Sequence, residues 1–473
     1  MKDRNILSNY WSIVLLVISV PFISYFIILI WPTFDDWTSM TSPSFEPFFM
    51  KERFMFYGYH WRPFDTIIGY IAGLNPQLLY PAFNHCLVIL GHFINALLIY
   101  RLTVLLGFTR LTSNIVTTVF FFLPATMATV LAVDSQNQTF AFTFDLLAFL
   151  CYVRRRYIGW ILLIFLAAWS KENGLMWALI CPILAYGFDY IHRKTLYKHL
   201  IIGMGIMAIY ALAYVLMPRE VVVYDEYVPT VTKVVLSITK FVFTAFVTVD
   251  YVYLLHQPSH NLLLACLTLL LTLPFVYLVF IRQLSMFFSR RVACILLSML
   301  IAASPHLFTV FSMMHTYGLL VFVILLMAIS LSRYKINVKP VIISFLLFML
   351  SAVTIDVHLW YCSFQSGEIG RQMAQDAVNK THKPIEKAYT IIIDDDYTKL
   401  SSFCVVPCEA FGWGRAVQLE TNYVWPTAFE DTTIARTPDA VEKARQIAQK
   451  VLNESIADGV WIVNKTHIDV IEK

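Results

Sequence analysis

The stretch that decides the fold class is Trp11–Trp37, WSIVLLVISVPFISYFIILIWPTFDDW. It opens with an almost uninterrupted apolar run. Two adjacent carboxylates, Asp35 and Asp36, then stand between Phe34 and Trp37. A run of about 20 apolar residues, at 1.5 Å each, is long enough to cross the hydrocarbon core of a bilayer, which is about 30 Å thick. The stretch therefore predicts a membrane helix that ends directly before a paired acid.

The composition of the whole chain is typical of a polytopic membrane protein. Of 473 residues, 58% are hydrophobic and 14% are charged, and the mean hydropathy is +0.66. Soluble domains average about 45–50% apolar and about 25% charged residues. No small-residue cleavage site follows the first apolar run, so we expect that run to stay in the protein as a span. Eleven spans are predicted, at 12–31, 80–100, 112–132, 139–153, 157–170, 174–188, 200–217, 261–281, 292–310, 317–332 and 341–361.

Charge in the connecting segments predicts the orientation. The loops on one side hold 16 basic residues, with Asp3 and Asp189 as their only acids. On the other side, apart from the C-terminal tail, acidic residues outnumber basic ones. The positive-inside rule places the basic loops and the N-terminus in the cytoplasm, and the C-terminal tail outside. The small net charge of +4 does not indicate a nucleic-acid partner.

One apolar segment, Val231–Gln257, does not fit this alternation, because a single span there would place Arg290 and Arg291 outside. An amphipathic helix at the outer interface keeps the charge rule and would turn Lys233 and Lys240 towards water, together with Asp250 further along the segment. A re-entrant hairpin is the alternative.

The chain changes character after residue 362. We predict a multi-span domain over 1–362, with a large outer loop at 32–79, and a small α+β domain outside the membrane over 363–473. Cys404 and Cys408, in CVVPC, could be joined by a disulfide only through a tight turn.

Local patterns predict three elements of this C-terminal domain. AYTIIIDDD (388–396) and DGVWIVNK (458–465) are typical of strands. The segment from Thr437 to Ser455 predicts a helix capped by Thr437, with Pro438 at its first position. The residues expected on its inward face are Val441, Ala444, Ile447, Ala448, Val451 and Leu452.

Polar groups suited to chemistry collect in the predicted outer loops. Taken singly, the acids could be solvated loop residues and the cations could be interfacial anchors that keep their heads in water. Asp145, inside the fourth span, could be a hydrogen-bonded structural residue or a functional one. The candidate site residues are Asp35, Asp36, His60, Arg62, Asp134, Lys171, Glu172, His315 and Tyr317.

The order of these features resembles the GT-C superfamily of polytopic glycosyltransferases, which use polyprenyl-phosphate-linked sugars. The resemblance covers about Trp11 to Tyr190 and includes FDDW, HWRPFDTIIGY, VDSQNQ and WSKENGLMW. The segment that leads into the second span is similar to that of O-mannosyltransferase-type members. The outer tail is similar to that of serotype-converting O-antigen glucosyltransferases. The late outer loop, MMHTYG, lacks the Glu-Arg pair often found there in the superfamily.

This resemblance implies an inverting hexosyltransferase of the bacterial cytoplasmic membrane. The sugar, glucose or another hexose, would move from a polyprenyl phosphate carrier to a surface glycan or lipid-linked acceptor such as O-antigen. The family pattern favours Asp35 over Asp36 as the general base, and the second acid would orient it, bind substrate or hold a possible divalent cation. The remaining candidates would bind the substrate or its phosphate, with Glu172 paired to Lys171 or Arg62.

Two other classes of function are compatible with the sequence. A lipid-linked-sugar flippase or transporter would explain the polar groups near the membrane, although we find no internal repeat. A non-catalytic scaffold that displays the outer domain is the third possibility, and it leaves the acidic and basic loop residues without a role.

Overall fold

The computed structural model of the protein is mostly helical, with a small sheet near the C-terminus. The structure describes residues 10–33, 36–37, 61–216, 230–246, 258–282, 288–307, 313–333, 338–394, 405–421 and 428–473.

Helices α1 to α15 form a bundle over residues 11–380, and short 3₁₀ or π turns connect several of them. Their bounds are α1 Trp11–Ile28, α2 Pro63–Leu74, α3 Pro76–Leu79, α4 Ala82–Leu105, α5 Arg110–Phe122, α6 Pro124–Val130, α7 Gln136–Val153, α8 Tyr157–Ser170, α9 Trp177–Gly187, α10 Arg193–Leu216, α11 Val231–Phe246, α12 Pro258–Val276, α13 Arg290–Leu307, α14 Leu320–Ser332 and α15 Val338–Lys380.

A helix lies at each of the eleven predicted spans. Among the described residues, four helices (α1, α4, α10 and α15) are long and apolar enough to cross a membrane. The predicted span 112–132 is two helices, because Pro124 has no backbone N–H to continue α5. Helix α15 has 43 residues. At 1.5 Å per residue it is about 65 Å long, so it runs far past the predicted span and into the tail.

Large apolar side chains are exposed on the outer faces of the bundle. Ile18, Phe22 and Ile201 are each at least 65% exposed. Polar side chains such as His92 and Asn95 are buried between helices instead. This distribution is the reverse of that in a soluble domain, where charged and polar residues occupy the outer face of a helix.

Loops at one end of the bundle, which we call the basic end, are held together by Asp189. Its carboxylate pairs with Arg290 and lies 3.6 Å from Arg291 Nη2. Asp189 follows α9 and Arg290 begins α13, so the chain crosses the bundle an even number of times between them. Helix α11 lies between them in the sequence, flanked by segments outside the described residues.

Helix α11 packs against α13, α6 and the turn Met313–Thr316. The face that packs on the protein is mixed: Ser237, Phe241, Thr244 and Ala245 are buried, and Lys233 and Lys240 are half-buried. Val231, on the other face, is 82% exposed. The two lysines, which were predicted to point to water, are thus only partly exposed; Asp250 lies outside the described residues.

The C-terminal sheet has four strands in the order β2-β1-β3-β4. Strands β2, β1 and β3 are parallel to one another, and β4, at the edge, is antiparallel to β3. Strands β2 and β4 were not predicted from the sequence. The bounds of this region are β1 Lys387–Ile393, α16 Pro407–Phe411, α17 Ala416–Glu420, β2 Ala428–Ile434, α18 Ala440–Asn453, β3 Gly459–Asn464 and β4 His467–Glu472.

Helix α18 covers one face of the sheet and begins later than predicted. Its N-cap is Asp439, and the Thr437 hydroxyl donates to Asp439 Oδ1 at 2.6 Å. Thr437 is therefore not the cap, and Pro438 lies before the helix. Because Ala440 takes the inward position at the start of the helix, Val441 is 36% exposed rather than buried.

The opposite face of the sheet packs against the end of α15. Trp461 on β3 and Ile468 on β4 share an apolar cluster with Met373 and Ala377 of α15. Lys380 Nζ also donates to the Ile468 carbonyl at 2.6 Å. The end of the long helix thus packs directly on the sheet, and residues 381–386 connect it to β1.

Candidate active site

Asp36 ties the acidic segment to a second loop. Its Oδ1 accepts a hydrogen bond from the Asp134 backbone N–H, and its Oδ2 accepts one from the Thr33 N–H, both at 3.1 Å. Tyr80 Oη donates to the Asp36 carbonyl at 2.8 Å. The side chain is only 6% exposed. Asp36 therefore positions two loops, and each of its carboxylate oxygens is already held by a backbone donor.

Trp37 packs against the C-terminal domain. It is fully buried, and its indole N–H donates to the Ala410 carbonyl at 3.3 Å. Gly412 has φ +64°, and a Cβ there would lie 2.4 Å from Trp37 Cδ1. The close approach and the left-handed backbone both require glycine. Trp37 is therefore a buried contact between the acidic segment and α16.

A bidentate ion pair joins the first predicted outer loop to the third. Arg62 Nη2 lies 2.8 Å from Glu172 Oε2, and Arg62 Nε lies 3.1 Å from both carboxylate oxygens. Arg62 precedes Pro63, a residue suited to the first position of α2. The side chains are 17% and 31% exposed. Of the two pairings predicted for Glu172, this one is present in the structure.

The turn after α8 presents Lys171 and Glu172. Lys171 is extended, with φ −154°, and its N–H donates to the Ala167 carbonyl at 2.8 Å. Glu172 then starts a 3₁₀ turn that runs to Met176. A Cβ at Gly174 would lie 2.7 Å from the Ala167 Cβ. The glycine therefore lets this turn fold back tightly on α8.

Asp134 lies in a 3₁₀ turn before α7, within the field of two cations. Burial raises the pKa of the Asp134 carboxyl, and the charges of Lys171 and Arg62 offset part of that rise. Asp36, Arg62, Asp134, Lys171 and Glu172 therefore form one group of mixed charge, which we call the charged cluster. It lies at the end of the bundle where α1 and α8 end and α7 and α9 begin, which we call the site end.

His315 borders the charged cluster. Its ring stacks on His306 with centroids 4.5 Å apart, and Asn173 Nδ2 donates to His306 Nε2 at 3.3 Å. Burial lowers the pKa of the His315 imidazole well below its ordinary value, and the neighbouring His306 and Lys171 lower it further. Sequence reasoning did not select His306 or Asn173; the signal was their position at helix ends on the side of the charged cluster.

Tyr317 lies apart from the charged cluster. It is fully buried. Its Oη accepts from Asn95 Nδ2 at 3.1 Å and is 2.9 Å from His92 Nδ1. Phe120 and Phe142 pack around its ring. This is a correction to the predicted binding role, because Tyr317 is a core residue whose hydroxyl is already held by two side chains.

Several predicted residues lie outside the described part of the chain: Asp35, His60 and Cys404. The possible divalent cation has no site within the described residues, where no group of three or more His, Cys, Asp or Glu side chains could hold a metal. The backbone donors that hold both oxygens of Asp36 would also compete with a metal there.

Comparison with known proteins identifies no relative: no family model, curated protein or solved structure matches the chain.

Proposed function

We propose that the protein is an inverting glycosyltransferase of GT-C type in a bacterial cytoplasmic membrane. It transfers a hexose from polyprenyl phosphate to a surface glycan or lipid-linked acceptor, such as O-antigen, on the outer face. The observation that carries the proposal is the charged cluster, in which carboxylates and cations from three distant loops meet at one end of an apolar bundle.

The chemistry needs both kinds of charge. A carboxylate removes the proton from an acceptor hydroxyl, and the hydroxyl oxygen attacks C1 of the sugar from the face opposite the leaving group. The C1–O bond to the carrier breaks, and the carrier leaves as a lipid phosphate anion. Arg62 and Lys171 are placed to stabilise that negative charge. The products are an inverted glycoside, the lipid phosphate and a protonated carboxyl group.

The structure supports a division of labour between the acids. Asp36 holds the loop of Asp134 through backbone hydrogen bonds, which suits a positioning residue. Asp35 remains the proposed base, as the resemblance implies. Glu172 holds the Arg62 guanidinium at one angle through its bidentate pair.

Placement in a membrane is supported by the apolar surface of the bundle. Phe22 of α1 and Ile201 of α10 are exposed on helices long enough to span. In this proposal α1, α4, α10, α15 and shorter helices make about eleven spans. The basic end, with Arg290 and Arg291, faces the cytoplasm, and the charged cluster and the C-terminal sheet face outwards.

A transporter or flippase is the second candidate, and one observation favours it. Asp145 and Asp356 are carboxyls within apolar helices, and Asp145 Oδ1 and both Asp356 carboxylate oxygens are buried without a hydrogen-bond partner in the described structure. Ionisable groups at such depth are typical of transport pathways. Movement of a labelled lipid-linked sugar across proteoliposomes, without formation of a glycosidic bond, would favour this candidate.

The proposed function is tested with purified protein, a polyprenyl-phosphate-linked hexose and acceptor glycan. Asp35→Asn is expected to reduce transfer by about 10²–10⁴-fold, the usual contribution of a general base. Asp36→Asn is expected to reduce it as well, because an amide cannot accept backbone donors equally at both positions. Asp394→Asn, an exposed acid in the C-terminal domain, is the control. Normal transfer by both Asp35→Asn and Asp36→Asn would refute the proposal.

A further inference from the structure

A small cavity lies in the helix bundle beside the turn that carries Glu172. Asn173, the neighbour of Glu172, lines it together with His306 and His315. Trp177 contributes an aromatic wall. The volume is about 20 Å³, enough for one water-sized group.

One face of α7 forms the polar side of this cavity. Gln138, Phe142 and Asp145 all line it, and their spacing of four and then three residues places them on the same side of the helix. Asp145 lies seven residues beyond Gln138, about 10 Å further along the axis. The polar groups therefore reach well below the level of the charged cluster.

Two buried side-chain oxygens on this face of α7 have no hydrogen-bond donor in the described structure. Gln138 Oε1 and Asp145 Oδ1 are buried and have no hydrogen-bond partner in the described structure. A buried acceptor without a donor costs about 1–3 kcal/mol, so two such oxygens beside one cavity indicate a ligand that donates hydrogen bonds.

The surroundings narrow the chemistry of that ligand. The charge of Lys171 acts on both His306 and His315 in the cavity wall, which disfavours a bound cation. The rings of Phe142 and Trp177 give the cavity apolar walls. A neutral hydroxyl group carried on a ring with apolar C–H faces meets all of these conditions, and aromatic walls with a few placed polar groups are usual in small-molecule sites.

We propose that Gln138 and Asp145 form a subsite for one hydroxyl group of the donor hexose, which donates its hydrogen bond to one of their two oxygens, and that this contact selects the sugar. The cavity takes one hydroxyl group, and the ring lies at its opening, beside Asn173 and His315. This inference rests on the proposed function, because it assigns the donor sugar to that site.

The test compares donors that each lack one hydroxyl group. Wild-type protein is expected to use one monodeoxy donor at least about 100-fold less efficiently than the parent, since a site built to bind a hydroxyl rejects its absence. Asp145→Leu and Gln138→Leu are expected to shrink that ratio to below about 10-fold at the same position and to leave the other ratios unchanged.

Asp356→Leu is the matched control. It also removes a buried carboxyl from an apolar helix, but Asp356 does not line the cavity. It is expected to keep the wild-type pattern of discrimination. Asp145→Ala, which also removes both carboxylate oxygens, replaces Asp145→Leu if the latter does not fold. An unchanged deoxy-donor pattern in the folded Asp145 and Gln138 variants would overturn the subsite.

A binding measurement separates this inference from the proposed function. Octyl hexosides are titrated into detergent-solubilised protein and followed by the fluorescence of its tryptophans, which include Trp177 in the cavity wall. Binding that is lost in Asp145→Leu and kept in Asp356→Leu supports the subsite even if no transfer is found. Transfer without any difference between these variants in binding or discrimination overturns the subsite and leaves the proposed function intact.

Discussion

The two ends of the bundle each contain an ion pair between distant loops, but the two pairs differ in depth and geometry. At the site end, Arg62 and Glu172 make three close contacts and are 17% and 31% exposed. At the basic end, Asp189 pairs with Arg290 where both side chains are about half exposed, at 58% and 48%.

This difference in exposure distinguishes a surface ion pair, at the basic end, from a candidate site, at the site end. An exposed ion pair contributes about 0–1 kcal/mol to the free energy of unfolding and is screened by salt. The ion pair of Asp189 therefore shows mainly that two distant loops lie close together. At the site end, acids and bases are held by backbone donors and by each other, away from much of the water. Charges arranged in that way act more strongly on a bound anion.

The largest expected effect comes from removing the contact that joins the site end to the C-terminal domain. Trp37→Ala is expected to lower the free energy of unfolding by about 3–5 kcal/mol, because it empties a fully buried site. Thermal unfolding in detergent measures the loss, and transfer is expected to fall with it because Asp36 is the adjacent residue. Phe22→Ala, which truncates a side chain 68% exposed, is the control and is expected to change little. Equal stabilities for the two variants would contradict the assigned role of Trp37.

Removing the ion pair at the site end is expected to have the next largest effect. Arg62→Ala leaves Glu172 part-buried without its bidentate partner, which costs about 1–3 kcal/mol. Transfer is expected to fall at least about 100-fold, since a cation that stabilises the leaving group is lost. A double-mutant cycle with Glu172→Ala measures the coupling between the two side chains. Additive effects on stability would show that this pair is no stronger than an exposed one.

The pH dependence of stability tests the buried state of His315, which borders the charged cluster at the site end. Its pKa is lowered in the folded protein, so the folded state binds fewer protons than the unfolded state below about pH 6.5, the ordinary value for histidine. Stability is then fully present above that pH and is lost as the pH falls through it. His315→Gln is expected to reduce the fall in Tm between about pH 7 and pH 5. An identical fall in wild type and variant would contradict the buried, uncharged state of His315.

The basic end is expected to show the smallest effect. Asp189 has φ +65°, a backbone conformation that asparagine tolerates well, so Asp189→Asn removes the charge without backbone strain. It is expected to change the free energy of unfolding by less than about 1 kcal/mol and to leave transfer unchanged. A large loss of transfer would show that the proposed assignment of the two ends is wrong.

Hydropathy alone predicted the helices of the eleven apolar runs, because an apolar run needs no distant partner to be recognised. Helix α2, in the predicted outer loop 32–79, was not predicted. Hydropathy could not predict that α15 continues to Lys380, since the polar second half of that helix is stabilised by packing on the sheet. Strand β2 was missed for a related reason: AFEDTTI carries acids in its middle, and its pairing with β1 is what makes it a strand.

The charged cluster was predictable as a set of loop residues, but not in its geometry. Charge patterning and the order of motifs selected Arg62, Asp134 and Glu172. The hydrogen bonds of Asp36 to the Thr33 and Asp134 backbones could not be foreseen, and neither could the contact between Trp37 and Gly412, because each depends on a fold that joins distant parts of the chain. Tyr317 was selected although it lies in the core. Its hydroxyl group suggested a ligand contact, but that hydroxyl is bonded to His92 and Asn95.

Mass spectrometry of surface glycans tests the proposed hexose transfer, because it reports the sugar and the acceptor together. Glycans are compared from cells that lack the gene and from the same cells complemented with wild type, Asp36→Asn or Asp189→Asn. An added hexose is expected on the acceptor with wild type and Asp189→Asn, and little or none with Asp36→Asn or without the gene. Identical glycans in all four samples would contradict the proposed transfer.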